Sequence, residues 1–182
     1  MSLFEALASL EEDDNLHLGR LLVLLSAFAG RDGTGPVEGL TKLAKLDFLL
    51  RYPANLERAL QVRARRGDDA RVEDHERKSI ESSMVRYRFG PWDFRYRRFL
   101  NTLASKGLAS VTTEGRTIVI RLTDAGRKAA GELTEAPEFA SMSRRARLLK
   151  RFCDLSATNL MRFIYETFPE LGLMKPGAPI PQ

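Results

Sequence analysis

Between Gly107 and Thr123 the side-chain pattern changes period, and this limits the folds open to the chain. Residues 110–113 (SVTT) and 116–122 (RTIVIRL) alternate around Glu114-Gly115, which reads as the two-residue turn of a β-hairpin. Most of the chain repeats instead at helical spacing. One small hairpin among many helices predicts an α+β class, mostly helical.

The helical segments are delimited by caps and breakers. A short first helix starts after Ser2 and carries Phe4, Leu7, Ala8 and Leu10 before the acidic break EEDDN. A second, 16–29, is capped by Asn15 and ended by Gly30. RDGTGP (31–36) is a loop. Residues 40–52 form a helix with Thr41 as its cap, on which Leu40, Leu43, Leu46 (or Asp47) and Leu50 recur, and Pro53 ends it. Residues 53–66 predict another helix, fading into the polar GDDARVEDHERK, an exposed loop. Ile80–Phe89 is extended, with Val85, Tyr87 and Phe89 on one face. Pro91 suits the first position of a helix over 91–106, where Trp92, Tyr96, Phe99, Leu100 and Leu103 form the apolar face and Gly107 the stop. Thr123 caps a short helix beyond the hairpin, and 143–155 and 156–168 add two more. Residues 169–182 are a Pro/Gly tail without periodicity.

Composition removes several function classes. A single cysteine, Cys153, excludes an internal disulfide and fits a reducing compartment; it reads as a buried thiol or, beside Arg151, an activated one. His17 and His75 lie at no ligand spacing from Cys153 or from each other, so no metal is expected. The opening MSLFEALASLEEDD lacks the basic region of a signal peptide, and the most apolar run, 16–30, contains Arg20 and is short of the ~20 residues a bilayer needs. A cytoplasmic protein without membrane contact is therefore expected. No nucleophile triad or phosphate-cradling loop is present, and DGTG (32–35) reads as a turn. Asp68-Asp69 and Glu73–Glu76 offer carboxylates for a divalent ion or, more simply, a solvated loop. The expectation is of no catalysis and no cofactor.

Charge is uneven. Residues 1–50 carry four basic and eight acidic side chains, and residues 51–100 carry thirteen and eight, within a net charge of +5. That gradient suggests an anionic partner for the middle and C-terminal parts. The order helix, insertion, strand, helix, hairpin, helix is the pattern of a winged helix, in which one helix enters the major groove and the hairpin wing follows the backbone. The predicted organisation is a winged-helix core over 1–136 with N-terminal helices and an insertion at 52–84, a C-terminal helical extension over 137–170, and a tail, 171–182.

On 91–106 the face opposite the apolar one presents Arg95, Arg98, Asn101 and Thr102, edged by Arg97 and Lys106, with Arg116 at the wing tip. These types contact phosphates and base edges. The same arginines can also form a solvated face or pair with acids of the insertion. Arg144, Arg147 and Arg151 line one side of 143–155 and suit either DNA or an acidic partner. Leu160, Phe163, Ile164 and Phe168 form a stripe that either docks a partner or covers the chain's own core.

KLAKLDFLLRYP (42–53), YRFGPWD (87–93), FLNTLASKGL (99–108) and LTDAG (122–126) together resemble prokaryotic winged-helix proteins. With FIYETFPEL near the C-terminus, they look most like the middle components of ABC three-component systems, including the small subunit of Lamassu-type antiphage and antiplasmid defence complexes. The resemblance spans about residues 16–170. It implies a non-catalytic subunit that docks on an SMC-like ATPase beside an effector subunit and helps the complex hold or sense double-stranded DNA. The same wing motifs occur in stand-alone winged-helix transcription regulators, which is the alternative.

Overall fold

The computed structural model describes residues 3–65, 71–77, 84–88 and 90–181, with residues 3–13 as helical backbone only. Leu3–Phe28 form one helix, α1. The break expected at EEDDN is absent, because Asp, Glu and Asn cost only about a few tenths of a kcal/mol inside a helix and no proline or glycine interrupts 3–18. Strand β1 (Val37–Glu38) leads through Gly39, held at φ +94°, into α2 (Leu40–Arg51). Thr41 therefore lies inside the first turn rather than capping it. Pro53 stops α2 and opens α3 (Pro53–Arg63) at its first position, where a missing N–H is harmless.

Of the expected loop, residues 71–77 are tied down. A 3₁₀ turn, Asp74–Glu76, is closed by reciprocal Glu73 and Glu76 capping. Val72 and Glu76 are buried. Asp68, Asp69 and residues 78–83 lie outside the described residues.

A small hairpin follows, β2 (Val85–Tyr87) with β3 (Gly90–Trp92). Pro91 pairs with Arg86 in this hairpin, so it does not begin the next helix. That helix, α4 (Tyr96–Ser105), starts after a turn held by Asp93. Its carboxylate accepts the Arg95 N–H at 2.9 Å and its carbonyl accepts the Tyr96 N–H. Phe89 lies outside the described residues.

Gly107, at φ +70°, ends α4 as expected. Strands β4 (Ala109–Glu114) and β5 (Thr117–Leu122) then form the main hairpin. Its turn is Gly115-Arg116, one residue later than expected, because Glu114 still pairs with Thr117. With β1 they make an antiparallel sheet in the order β1-β5-β4.

Thr123 caps α5 (Asp124–Glu135), accepting the Gly126 N–H at 3.0 Å while donating to the Gly107 carbonyl. Helices α6 (Ala140–Cys153), α7 (Ala157–Thr167, capped by Ser156) and α8 (Glu170–Leu173) complete the chain. The fold is α+β and mostly helical.

The C-terminal helices share the core with the earlier ones. Helix α6 packs on α1, α2 and α3, and α7 packs on α2. Leu149, Cys153, Leu160, Ile164 and Phe168 are buried with Leu21, Leu46 and Phe48, and the Phe168 ring meets Phe48 edge-on at 5.5 Å. The tail is ordered by β2: Arg86 N–H donates to the Ala178 carbonyl, Ile180 N–H to that of Met84, and Ile180 is buried. Its lack of periodicity reflects a strand-like add-on whose order comes from tertiary pairing.

Helix α5 sits tightly against the α4–β4 corner. A Cβ at Gly126 would lie 1.8 Å from the Leu108 carbonyl oxygen, whereas one at Gly131 meets nothing within 4 Å. Gly126→Ala is expected to lower the unfolding free energy by about 1–3 kcal/mol. Gly131→Ala in the same helix should raise it by about 0.5–1 kcal/mol. Urea unfolding of the two variants checks the pair.

Candidate nucleic-acid interface

The inner side of α4 is fastened by buried charges. Asp47 on α2 is 0% exposed and accepts from two of the three Arg20 nitrogens of α1 (Nε at 2.5 Å, Nη2 at 3.2 Å), Arg51 Nη2 at 3.0 Å and the Tyr96 hydroxyl at 2.6 Å. Arg51 Nη1 donates to Asp93 at 3.0 Å. Arg95 donates to both Asp93 oxygens and lies 3.0 Å from His17 Nε2, while the His17 ring stacks on Phe99. The chain of contacts joins α1, α2, the end of β3 and α4.

Burial by itself raises a carboxyl pKa, but here the guanidinium groups prevail. Arg20 and Arg51 hold Asp47 far below the usual carboxylate range. Against the same desolvation, hydrogen bonds from Arg95 and the charge of Arg51 hold Asp93 at about 2. Burial and the Asp47 charge push the Tyr96 hydroxyl well above its ordinary value, so it remains a donor. Arg95, expected on the reading face, is thus turned inward and engaged.

Arg97 and Asn101, one turn apart, are exposed and line a shallow groove of about 260 Å³ with Leu40, Leu100, Val111 and Ile118, between α4 and the β4–β5 hairpin. Arg98 is 59% exposed, and its Nη2 reaches Asp14 at 2.7 Å. Thr102 returns its hydroxyl to the Arg98 carbonyl. Arg116 is exposed at the hairpin turn. Lys106 is exposed at the other end of α4, beside Asn15 and Leu133, and does not line the groove of Arg97. The structure therefore brings Arg97 and Asn101 together next to the hairpin.

The second basic block stands elsewhere, on α6. Arg144 donates twice to the Arg71 carbonyl at 2.7 Å and pairs with Glu73 and Glu76, and Arg145 binds the buried Glu76 at 2.7 Å. Arg144 thus clamps residues 71–77 and is not presented to an outside anion. Arg147 is exposed, and the exposed Arg151 lies over the Phe152 ring at 4.8 Å. The stripe Leu160, Phe163, Ile164 and Phe168 is buried, so of its two readings, partner docking or the chain's own core, the burial matches the core. Burial pushes the Cys153 thiol up to about 11, which makes it a packing residue.

Sequence reasoning missed Arg20, Asp47, Arg51 and Asp93 as a unit. The available signal was a charge in the most apolar run and an acid within a leucine stripe, both of which require buried partners. Among the described residues no group of three or more His, Cys, Asp or Glu is placed to hold a metal, and no helix is long and apolar enough to cross a membrane. No family model, curated protein or solved structure matches the chain.

Removing one member of a buried ion pair strands the others, at about 3–5 kcal/mol. Asp47→Ala should therefore lose about that much stability in urea unfolding. Asp47 and Asp93 have folded pKa values below the unfolded value of ~3.9, so their contribution is complete above that pH and declines as pH falls toward 2 and below. Acid unfolding of Asp93→Asn should show a shallower pH dependence over that range than the unaltered chain.

Proposed function

We propose that this chain is a winged-helix protein that meets duplex DNA with the outer face of α4 and the β4–β5 wing. The order α1, β1, α2, α4, β4, β5, with the sheet order β1-β5-β4 and an insertion between α2 and α4, supports this reading. The observation that carries it is the two-sidedness of α4. Its inner face is fixed by Asp47, Tyr96 and Asp93, while Arg97 and Asn101 stand exposed beside a wing tipped by Arg116.

We further propose that it acts as a non-catalytic accessory subunit of an SMC-like ATPase complex in Lamassu-type antiphage or antiplasmid defence, together with an effector subunit. The resemblance of 42–53, 87–93, 99–108 and 122–126 to such subunits supports this, and so does the charge available. With Arg95 engaged internally and Arg98 paired with Asp14, the face offers few unengaged cations. Such a face suits weak, sequence-tolerant binding strengthened by a partner better than the tight operator binding of a stand-alone regulator.

Arg97→Ala with Arg116→Ala should weaken binding to an arbitrary 20-base-pair duplex and reduce the slope of log K against log salt by about two. Fluorescence anisotropy at several salt concentrations reads this, and an unaltered slope would refute the α4–wing assignment. Size-exclusion chromatography with an SMC-like ATPase encoded beside the gene should show co-elution. Separate elution, with a homodimer binding a palindrome tightly, would favour the regulator.

A further inference from the structure

The β2–β3 hairpin closes over α2 and leaves a cleft of about 230 Å³. Its walls are Leu40, Thr41, Tyr87, Gly90, Pro91 and Trp92, and they are overwhelmingly apolar. The Tyr87 and Trp92 rings, 5.9 Å apart and tilted by 31°, supply one side. Gly90, paired with Tyr87 in the same hairpin, lies over Lys45: a Cβ there would meet Lys45 Cε at 3.7 Å and the Tyr165 hydroxyl at 4.0 Å.

Among the described residues Lys45 is the one charged side chain lining this cleft, and it is 2% exposed. An ammonium carries three N–H donors. Its Nζ makes a hydrogen bond to the Thr41 carbonyl of its own helix at 3.2 Å, and it forms no ion pair among the described residues. Desolvation holds its pKa down to about 8, with no neighbouring carboxylate acting on it. This differs from every other buried cation described above: Arg20, Arg51 and Arg145 each face an acid. A buried cation without a counter-charge is costly, and a bound anion would offset that cost.

We propose that this cleft binds a small apolar monocarboxylate, with the carboxylate on Lys45 Nζ and a single ring or short chain against Trp92, Tyr87 and Pro91. The chemistry selects that class. One ammonium, with no arginine among the described residues of the lining, provides too few donors for a phosphate or a dicarboxylate. The apolar walls favour a hydrocarbon body, and an apolar cavity of about 150 Å³ already accommodates a benzene ring. The cleft lies between α2 and the β2–β3 hairpin and shares Leu40 with the groove of Arg97 and Asn101, but none of the cations proposed for DNA lines it.

Trp92 is the only tryptophan of the chain, so its emission reports directly on the cleft. Phenylacetate, added to the full-length protein, should change that emission saturably. The neutral isostere phenylacetamide and the body-less anion acetate should each bind at least about tenfold more weakly. Lys45→Met should abolish the preference for acid over amide while circular dichroism shows a folded chain. Equal affinity for phenylacetate and phenylacetamide in the unaltered protein would overturn the proposal, as would the absence of any saturable change. That comparison decides the matter even where Lys45→Met fails to fold.

Discussion

Asp47 is the point on which the arrangement of α1, α2 and α4 depends. A carboxylate removed from water loses several kcal/mol of solvation, and only well-aligned partners restore it. Here two guanidinium groups and a phenol converge on it from three helices. Arg51 then passes the connection to Asp93, which sets the turn before α4, and Arg95 carries it back to His17 on α1. Leucine packing tolerates sliding of one helix on another, whereas this network has a single register. Buried polar groups of this kind are best understood as fixing one arrangement, with net stabilisation secondary.

The same network changes how the basic composition should be understood. Most arginines described here hold the fold together. Arg58 reaches Glu170, Arg77 reaches Glu57, Arg86 reaches the Leu171 carbonyl, and Arg144 and Arg145 secure residues 71–77. Several of these contacts join elements far apart in sequence. A net charge of +5 is therefore a poor measure of what the surface offers to DNA. The face proposed for DNA rests on a few exposed side chains, Arg97, Asn101 and Arg116, and on the rigidity of the helix that carries two of them.

Much of the architecture was legible because local rules decide it. Pro53 between two leucine-rich segments, Gly107 after an amphipathic turn, Thr123 before Asp124 and the alternation around Gly115 each act within a few residues. Local pattern misled, or left two readings open, where distant partners decide. Pro91 is compatible with a helix start, yet pairing with Arg86 draws it into a hairpin and Asp93 starts the helix instead. The stripe Leu160, Phe163, Ile164 and Phe168 has the same pattern whether it faces a partner or a core, and packing against Phe48 decides for the core. Arg95 follows the periodicity of an outward face, but the pull of Asp93 and His17 turns it in.

The insertion between α2 and α4 shows how these distant decisions combine. Its ends are fixed by Tyr52, whose hydroxyl accepts the Met84 N–H, and by Asp93. The C-terminal segment then pairs with β2, so the last residues of the chain hold a hairpin encoded some ninety positions earlier. That hairpin places Trp92 and Tyr87 over α2, and α2 carries Asp47 on its network side and Lys45 beneath the hairpin two residues away. One helix thus bears an ionised acid whose charge is fully matched and an ammonium whose charge is not. Because Lys45 and Asp47 share a helix whose register Asp47 fixes, an anion seated on Lys45 would bind to a preorganised surface and need no rearrangement of α2.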